Sequence, residues 1–406
     1  MKFLIPTHFR KKLLTIIRAS VDWCFEQFAL HTRVLFVLSD GYGFACQLPV
    51  IRALQAYPDV LVRITIDKPG VINDIVFSTP EERTMFHSLL LPTRRARLSK
   101  WHMLVSTHMN PFYPAFNALR LYMHHGPGFG ILGNKTGPIK QCDIFCGLSK
   151  AEYDWFDLYQ PSLFNERRLF IPVGFPKSDA LCVREFNRRA VLEQLGLPDR
   201  TTLLITSHWQ SQAILRSLNA APLHTLAQAF PECNIIQTGH PWLWKTNHNV
   251  PSDWQEAVLE NIRSIEAQYP HVRFVPTIDV ETLLAAADLL VGDYSSVMTT
   301  YSLLDRPIVF FNNPNFEFTF AGLKDIFADA SHSFGHIDEL VATCQAALSN
   351  PQAKAEGRAH MRCTFYTNQG HSAEYMAELI QQIGRVSTTD SAGWQRIRVL
   401  LSTIKP

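Results

Sequence analysis

The sequence predicts an α/β protein made of two doubly wound, Rossmann-like domains, and three observations predict it. Apolar runs of four to eight residues alternate with helical patterns along nearly the whole chain, as in parallel sheets covered by helices on both faces. The run IPVGFPKSD, over residues 171–179, breaks the alternation with two prolines and a glycine and reads as a hinge. The length of 406 residues suits two domains at ~100–200 residues each. Doubly wound sheets bind ligands outside the carboxyl ends of their strands. Two such domains facing each other across a cleft should therefore carry their chemistry in residues just after strands.

The elements follow in order. Residues 34–39 form a buried-strand run, then come a turn with Asp40, Gly41 and Gly43 and a helical stretch to residue 57. Runs 60–67, 103–107, 120–124 and 143–149 are the next strands, each ending in polar residues or glycine. After the hinge a second series begins with a strand at 202–206, a helix near 223–230 and a strand at 233–238. A long helix at 252–269, a strand at 272–275, a short helix near 280–286 and a strand at 288–291 continue it. A helix at 295–304 and a strand at 307–311 follow, and amphipathic helices run to about residue 385. The expected division is a basic amphipathic segment over 1–30, a first domain over 31–175, a second over 176–385 and a tail over 386–406.

Composition narrows the function. Hydrophobic residues make up 47% of the chain, which excludes wholesale disorder. Charged residues make up 18%, below the usual ~25%, so part of the surface is expected to be covered by a membrane or partner. A net charge of +2 gives no field broad enough for bulk nucleic-acid binding. Eight cysteines are too sparse for a disulfide scaffold. The closest pair, Cys142 and Cys146, has no second pair nearby to complete a zinc site. No run reaches the ~18 uncharged apolar residues of a membrane-spanning helix, and the N-terminus lacks a signal-peptide pattern. That N-terminus instead sets Arg10, Lys11, Lys12 and Arg18 among Phe9, Leu13, Ile16 and Ile17 at helical spacing. Such a stripe fits an anionic membrane surface and equally a leader helix packed on the fold.

The most informative segment is ADLLVGDYSSVMTTYSLLDRPIVFF, residues 287–311. A strand runs into Asp293, Tyr294, Ser295 and Ser296, and a helix follows. The serines sit where a helix cap belongs, and the same spot favours an anion, above all a phosphate. Local physics leaves capping and phosphate binding both open.

This segment closely resembles the signature of the CDP-glycerol glycerophosphotransferase family, bacterial enzymes that build poly(glycerol phosphate) chains of teichoic acid and related capsules. Ala287–Asp288, Asp293–Ser296, the apolar helix Val297–Leu304 and the strand Pro307–Phe311 occur in the family's order and spacing. His124–His125–Gly126 resembles its His-Gly element, Gly174–Asp179 its hinge with Lys177 in place of arginine, Gly239–His240–Pro241 its His-Pro element, and Asn368–Ala373 its lead into the last helix. The chain departs from the pattern in three places. Pro127, Gly128 and Phe129 follow His-Gly without a prompt lysine, the nearest being Lys135. The stretch Thr206–Gln210 lacks the family's arginine, and the loop Asn312–Glu317 has fewer carboxylates.

The resemblance implies a GT-B-like transferase that moves glycerol phosphate, or a related polyol phosphate such as that of CDP-ribitol, from a CDP-linked donor to a lipid-linked or polymeric acceptor, releasing CMP. It implies His125 as catalytic base and His240 as the group that stabilises the leaving phosphate. Ser295, Ser296, Gly126 and Lys177 would bind the donor phosphates, and His208, Asp293, Asn313 and Glu317 would contact the nucleotide or polyol. No Asp-x-Asp element or Asp/His cluster marks a divalent-metal site, so neither a metal nor another cofactor is expected. The expected place of work is the cytoplasmic face of the membrane, peripherally bound, with no nucleic-acid partner. Two other readings stay open: a GT-B glycosyltransferase using a nucleotide-sugar donor, and a non-catalytic assembly subunit.

Overall fold

Among the described residues twelve strands form two six-stranded sheets whose strand pairings are all parallel. The structure, a computed structural model, describes residues 30–406 except 69, 109–111, 127–138, 184–185, 246–248, 278, 319–321, 387–390 and 404–406, together with Ile17, Ser20 and Cys24. The basic stripe from Phe9 to Arg18, Ile17 apart, lies outside the described residues, as do Pro127–Phe129 and Lys135. Among the described residues, no helix is long and apolar enough to cross a membrane. The chain divides into two compact units, which are taken in turn.

The first unit holds β1 (Thr32–Leu38), β2 (Val60–Ile66), β3 (Met103–Ser106), β4 (Leu119–Met123), β5 (Ile144–Gly147) and β6 (Leu169–Pro172), in the order β2-β1-β3-β4-β5-β6. The order reverses between β1 and β3, and that reversal is the switch point where a doubly wound sheet opens its crevice. Strand β6 takes the first residues of the expected hinge, so the Pro/Gly-rich run is part sheet and part connection.

The second unit holds β7 (Thr202–Ile205), β8 (Asn234–Gln237), β9 (Val272–Phe274), β10 (Leu289–Gly292), β11 (Ile308–Phe311) and β12 (His332–Phe334), in the order β12-β11-β10-β7-β8-β9. This is the dinucleotide-fold order, with its switch point between β7 and β10. Strands β7, β8, β10 and β11 are buried throughout, which explains their continuous apolar runs.

The expected boundaries fail at the C-terminal end. The chain leaves the first unit after Lys177 and returns to it at His371. Helix Ser372–Ile383 packs against helix Gly41–Leu54 and drives Met376, Ala377, Leu379, Ile380 and Ile383 into the core under β1–β5. Residues expected to be a tail form a further helix, Ser391–Thr403, whose Trp394 and Ile397 enter the same core. The reason is apolar area: these side chains have their hydrophobic partners in the first unit, and burial there outweighs continuity along the sequence.

Ile380→Ala is therefore expected to destabilise the first unit by ~2–5 kcal/mol, the cost of a large-to-small change at a buried site. Hydrogen exchange should quicken in β1 and β3 and stay unchanged in β7 and β10; quickening confined to β7 and β10 would return the helix to the second unit.

Candidate active site

In the first unit the loops after β1, β3 and β4 bring one cluster to the switch point. Asp40 caps helix Gly41–Leu54, with Gly43 N–H donating to its Oδ1 at 2.7 Å. Its other oxygen, Oδ2, lies 3.0 Å from Nε2 of His108, and that contact helps hold the Asp40 carboxyl below its ordinary pKa against the upward push of burial. Gly43 is needed here, because a Cβ at this position would sit 2.7 Å from Thr107 Oγ1. The ring of His108 stacks on that of His125, with centroids 4.8 Å apart and planes 14° from parallel.

His125 Nδ1 lies 3.0 Å from the carbonyl oxygen of Thr107. A carbonyl only accepts, so Nδ1 carries the proton and Nε2 keeps the lone pair. Burial, with the neighbouring histidines, pushes the His125 pKa down to about 4. At neutral pH this is a neutral imidazole with a defined basic nitrogen. Beside it, the ring of His124 is wholly buried, its Nε2 2.8 Å from Glu152 Oε1. Glu152 Oε2 accepts the Leu148 N–H at 2.7 Å, so the end of β4 is anchored to the turn after β5. The next residue, Gly126, is counted with the second unit; at φ 142° it holds a conformation that side-chain-bearing residues rarely adopt. Lys177 belongs to this unit, is buried, and places its ammonium 5.3 Å from the ring centre of Tyr42.

In the second unit the signature turn is built from inward-facing residues. Asp293 is 3% exposed. Its carboxylate accepts from Ser207 Oγ–H at 3.0 Å, from His208 N–H at 3.0 Å and from Ile214 N–H at 2.9 Å. It is thus a post that holds the β7 loop rather than the nucleotide or polyol contact expected. Tyr294 packs on Phe316, Phe318 and Phe327, with centroids 4.4–5.0 Å away. Ser295 occupies the cap position of helix Ser296–Tyr301, yet its side chain makes no capping hydrogen bond. Its Oγ is buried with no hydrogen-bond partner among the described residues, so plain capping does not account for this serine. Ser296 is half-buried.

After β8, Gly239 lets the backbone pass close: a Cβ there would lie 2.9 Å from the Ser207 carbonyl oxygen. His240 Nδ1 accepts from Trp242 N–H at 3.2 Å, which in the neutral tautomer puts the ring proton on Nε2. His208 is similar, its Nδ1 accepting from Gln210 N–H at 3.3 Å, and burial lowers its pKa to about 4. The two rings lie 5.4 Å apart. Asn313 spends its amide N–H groups on Gln212 O and Ser217 Oγ and its carbonyl on Asn315 N–H, which makes it a loop brace. Glu317 is exposed.

The structure thus collects His208, His240 and Ser295 around the second switch point and His125 at the first. Sequence reasoning missed His108 and the ring-facing role of Asp40. Each follows a strand, but only the strand order shows that they meet at the crevice. Among the described residues, no group of three or more His, Cys, Asp or Glu is arranged to hold a metal ion.

Two parallel doubly wound units with histidine and serine clusters at their switch points define a GT-B-like α/β protein. The sequence profile of the CDP-glycerol:poly(glycerophosphate) glycerophosphotransferases matches residues 156–382. The chain belongs to that family and is a transferase of that type. No curated protein matches the chain in sequence. Among solved structures it is similar to a histidine-to-alanine variant of the wall teichoic acid polymerase TagF, at 15% identity and a TM-score of 0.63, covering 94% of this chain and 99% of that one. A histidine-to-asparagine variant of TagF soaked with CDPG matches at 15% identity and a TM-score of 0.60, covering 93% and 97%. A putative UDP-N-acetylglucosamine 2-epimerase from Listeria monocytogenes matches at 13% identity and a TM-score of 0.58, covering 87% and 96%. At such identities the likeness speaks for the fold.

Burial pushes the Asp293 carboxyl from its ordinary 3.8 up to about 6. Across that interval the folded unit keeps a proton that the unfolded chain has released. The stability from this group is then fully present below 3.8 and is lost as pH rises through about 6. Asp293→Asn should remove this falling component from the pH dependence of the second unit's denaturation midpoint. It should also cost ~1–3 kcal/mol at every pH, because an amide nitrogen cannot accept from the donors the carboxylate now serves.

Proposed function

We propose that the chain transfers glycerol phosphate from CDP-glycerol to a terminal hydroxyl of a poly(glycerol phosphate) acceptor, releasing CMP, in the synthesis of a wall teichoic acid-type polymer. What carries this reading is the turn Asp293–Ser296. It lies inside the family-matched segment and keeps one buried hydroxyl, Ser295 Oγ, without a protein partner.

The chemistry balances on this chain's own residues. Nε2 of His125 takes the proton of the acceptor hydroxyl, and the oxygen attacks the β-phosphorus of the donor. The bond from that phosphorus to the bridging oxygen breaks, and CMP leaves with the electron pair. Nε2–H of His240 and the hydroxyls of Ser295 and Ser296 donate to phosphate oxygens as charge shifts toward the leaving group. His208, at the same switch point, adds a donor to the nucleotide side. Gly126 lets the backbone after His125 approach a phosphate. Fixed donors and helix amides supply the charge stabilisation, so the reaction is proposed to need no divalent metal. The enzyme is proposed to work peripherally at the cytoplasmic face of the membrane, where a lipid-linked acceptor would present its hydroxyl.

His125→Ala should lower turnover by ~10²–10⁴ while donor affinity holds, since a base acts in the transition state and adds little to binding. The acid limb of kcat/KM in the wild type should fall near the His125 pKa of about 4; a limb near the ordinary imidazole value would remove His125 as the base. Ser295→Ala should weaken CDP-glycerol binding by ~1–3 kcal/mol with Tm unchanged, because that hydroxyl bonds to none of the described residues. A drop in Tm with donor affinity unchanged would make the serine structural. CMP release should persist in EDTA; loss of activity restored by magnesium would bring a metal into the mechanism. A screen of CDP-glycerol, CDP-ribitol and nucleotide sugars tests the donor.

A further inference from the structure

The first unit carries an open groove of about 760 Å³ away from the residues discussed so far. It lies between the end of β2 and the short helix Thr93–Leu98, with Asp67, Lys68, Ile72, Arg94, Arg97 and Leu98 among its lining. Thr93 fixes the helix to the strand, its hydroxyl donating to the Ile66 carbonyl at 2.6 Å.

Three features single out this groove. Its lining is cationic, three basic side chains against one carboxylate, in a chain whose net charge is only +2. Lys68 and Arg94 are exposed and form no ion pair among the described residues. Arg97 rests its guanidinium 5.6 Å from the ring centre of Phe112, which orients the charge without neutralising it. The groove also leaves aliphatic surface in water, with Leu98 63% and Ile72 40% exposed. Lastly, it opens on the same sheet edge as the proposed base. Ile66 pairs in register with Leu38, so the end of β2 lies beside the end of β1, from which Asp40 projects. Strand β4, which ends at Met123 two residues before His125, is three strand spacings away, about 14 Å.

Resting on the function proposed above, we propose that this groove is the distal acceptor subsite, which holds phosphodiester groups of the polymer behind the hydroxyl under attack. Arginine forks match phosphate oxygens in paired hydrogen bonds, and lysine adds a point charge. The methylene groups of a polyol backbone lie against Ile72 and Leu98. Among the described residues no aromatic ring lines the groove, so these residues offer no stacking platform for the donor's base. Three cations lining a concave groove suit a threaded anionic chain better than the plane of a bilayer. The enzyme should accordingly favour acceptors long enough to reach from His125 to the groove.

The test is the triple variant Lys68→Gln, Arg94→Gln, Arg97→Gln in the full chain, with unchanged Tm as the control for folding. Labelled poly(glycerol phosphate) should bind about tenfold more weakly than to the wild type, and the wild-type affinity should fall with added salt. Binding of CDP-glycerol should not change. In transfer assays KM should rise for the long acceptor and stay constant for a single-unit acceptor. Equal affinity of wild type and variant for the polymer would overturn the proposal. So would a wild type that binds phosphatidylglycerol vesicles through these residues but not the polymer, which would make the groove a membrane contact. Should the wild type fail to release CMP from CDP-glycerol, the function proposed above falls, while the polymer-binding arm still decides what the groove holds. If the triple variant is unstable, Arg94→Gln alone, at an exposed position, should still weaken polymer binding, and no change would count against the subsite.

Discussion

A buried carboxylate organises the second unit's site. Asp293 accepts from Ser207, His208 and Ile214 and so ties the loop after β7 to the turn after β10. Removing a carboxylate from water is costly unless its oxygens are matched by donors, and here the backbone N–H groups of the facing loop provide the match. Once Asp293 is fixed, Tyr294 is committed to its aromatic neighbours, and Ser295 is left pointing into a buried place with nothing to bond. An unsatisfied hydroxyl of this kind is a local cost that a bound phosphate oxygen would relieve. The open hydroxyl is thus a by-product of how tightly the framework around it is satisfied.

The first unit solves the same problem with a different residue. Asp40 has two oxygens and two uses, one on the start of a helix and the other beside His108. The stacked ring of His125 is then held between a fixed neighbour and the Thr107 carbonyl. When such an imidazole takes a proton, the nearby Asp40 charge favours the cation, while burial keeps the resting ring neutral. Base strength and readiness are set by separate groups.

Much of this was legible in the sequence. The strands of both sheets announce themselves as apolar runs, and the signature turn, His125 and His240 stand just after strands, where such sheets place their chemistry. Three things were not legible. Strand order is a tertiary property, so nothing local could show that Asp40 and His108 meet His125. The inward turn of Asp293 depends on donors from residues 207–214, remote in sequence, and without them it reads as a ligand contact. The return of the last helices to the first core was hidden because an amphipathic helix shows that it has an apolar face but not which sheet will cover it.

That return makes the first unit discontinuous, and the consequence falls on biosynthesis. Strands β1–β6 leave the ribosome with part of their core uncovered, because Met376, Ile380, Trp394 and Ile397 are made only after the whole second unit. The second unit, drawn almost wholly from one continuous stretch, has what it needs to fold first. The nascent first sheet must wait with apolar surface in water, the condition under which chaperones and aggregation compete for a chain. The first core is closed only by helices that follow the second unit in sequence, so its packing does not run in the order of the chain.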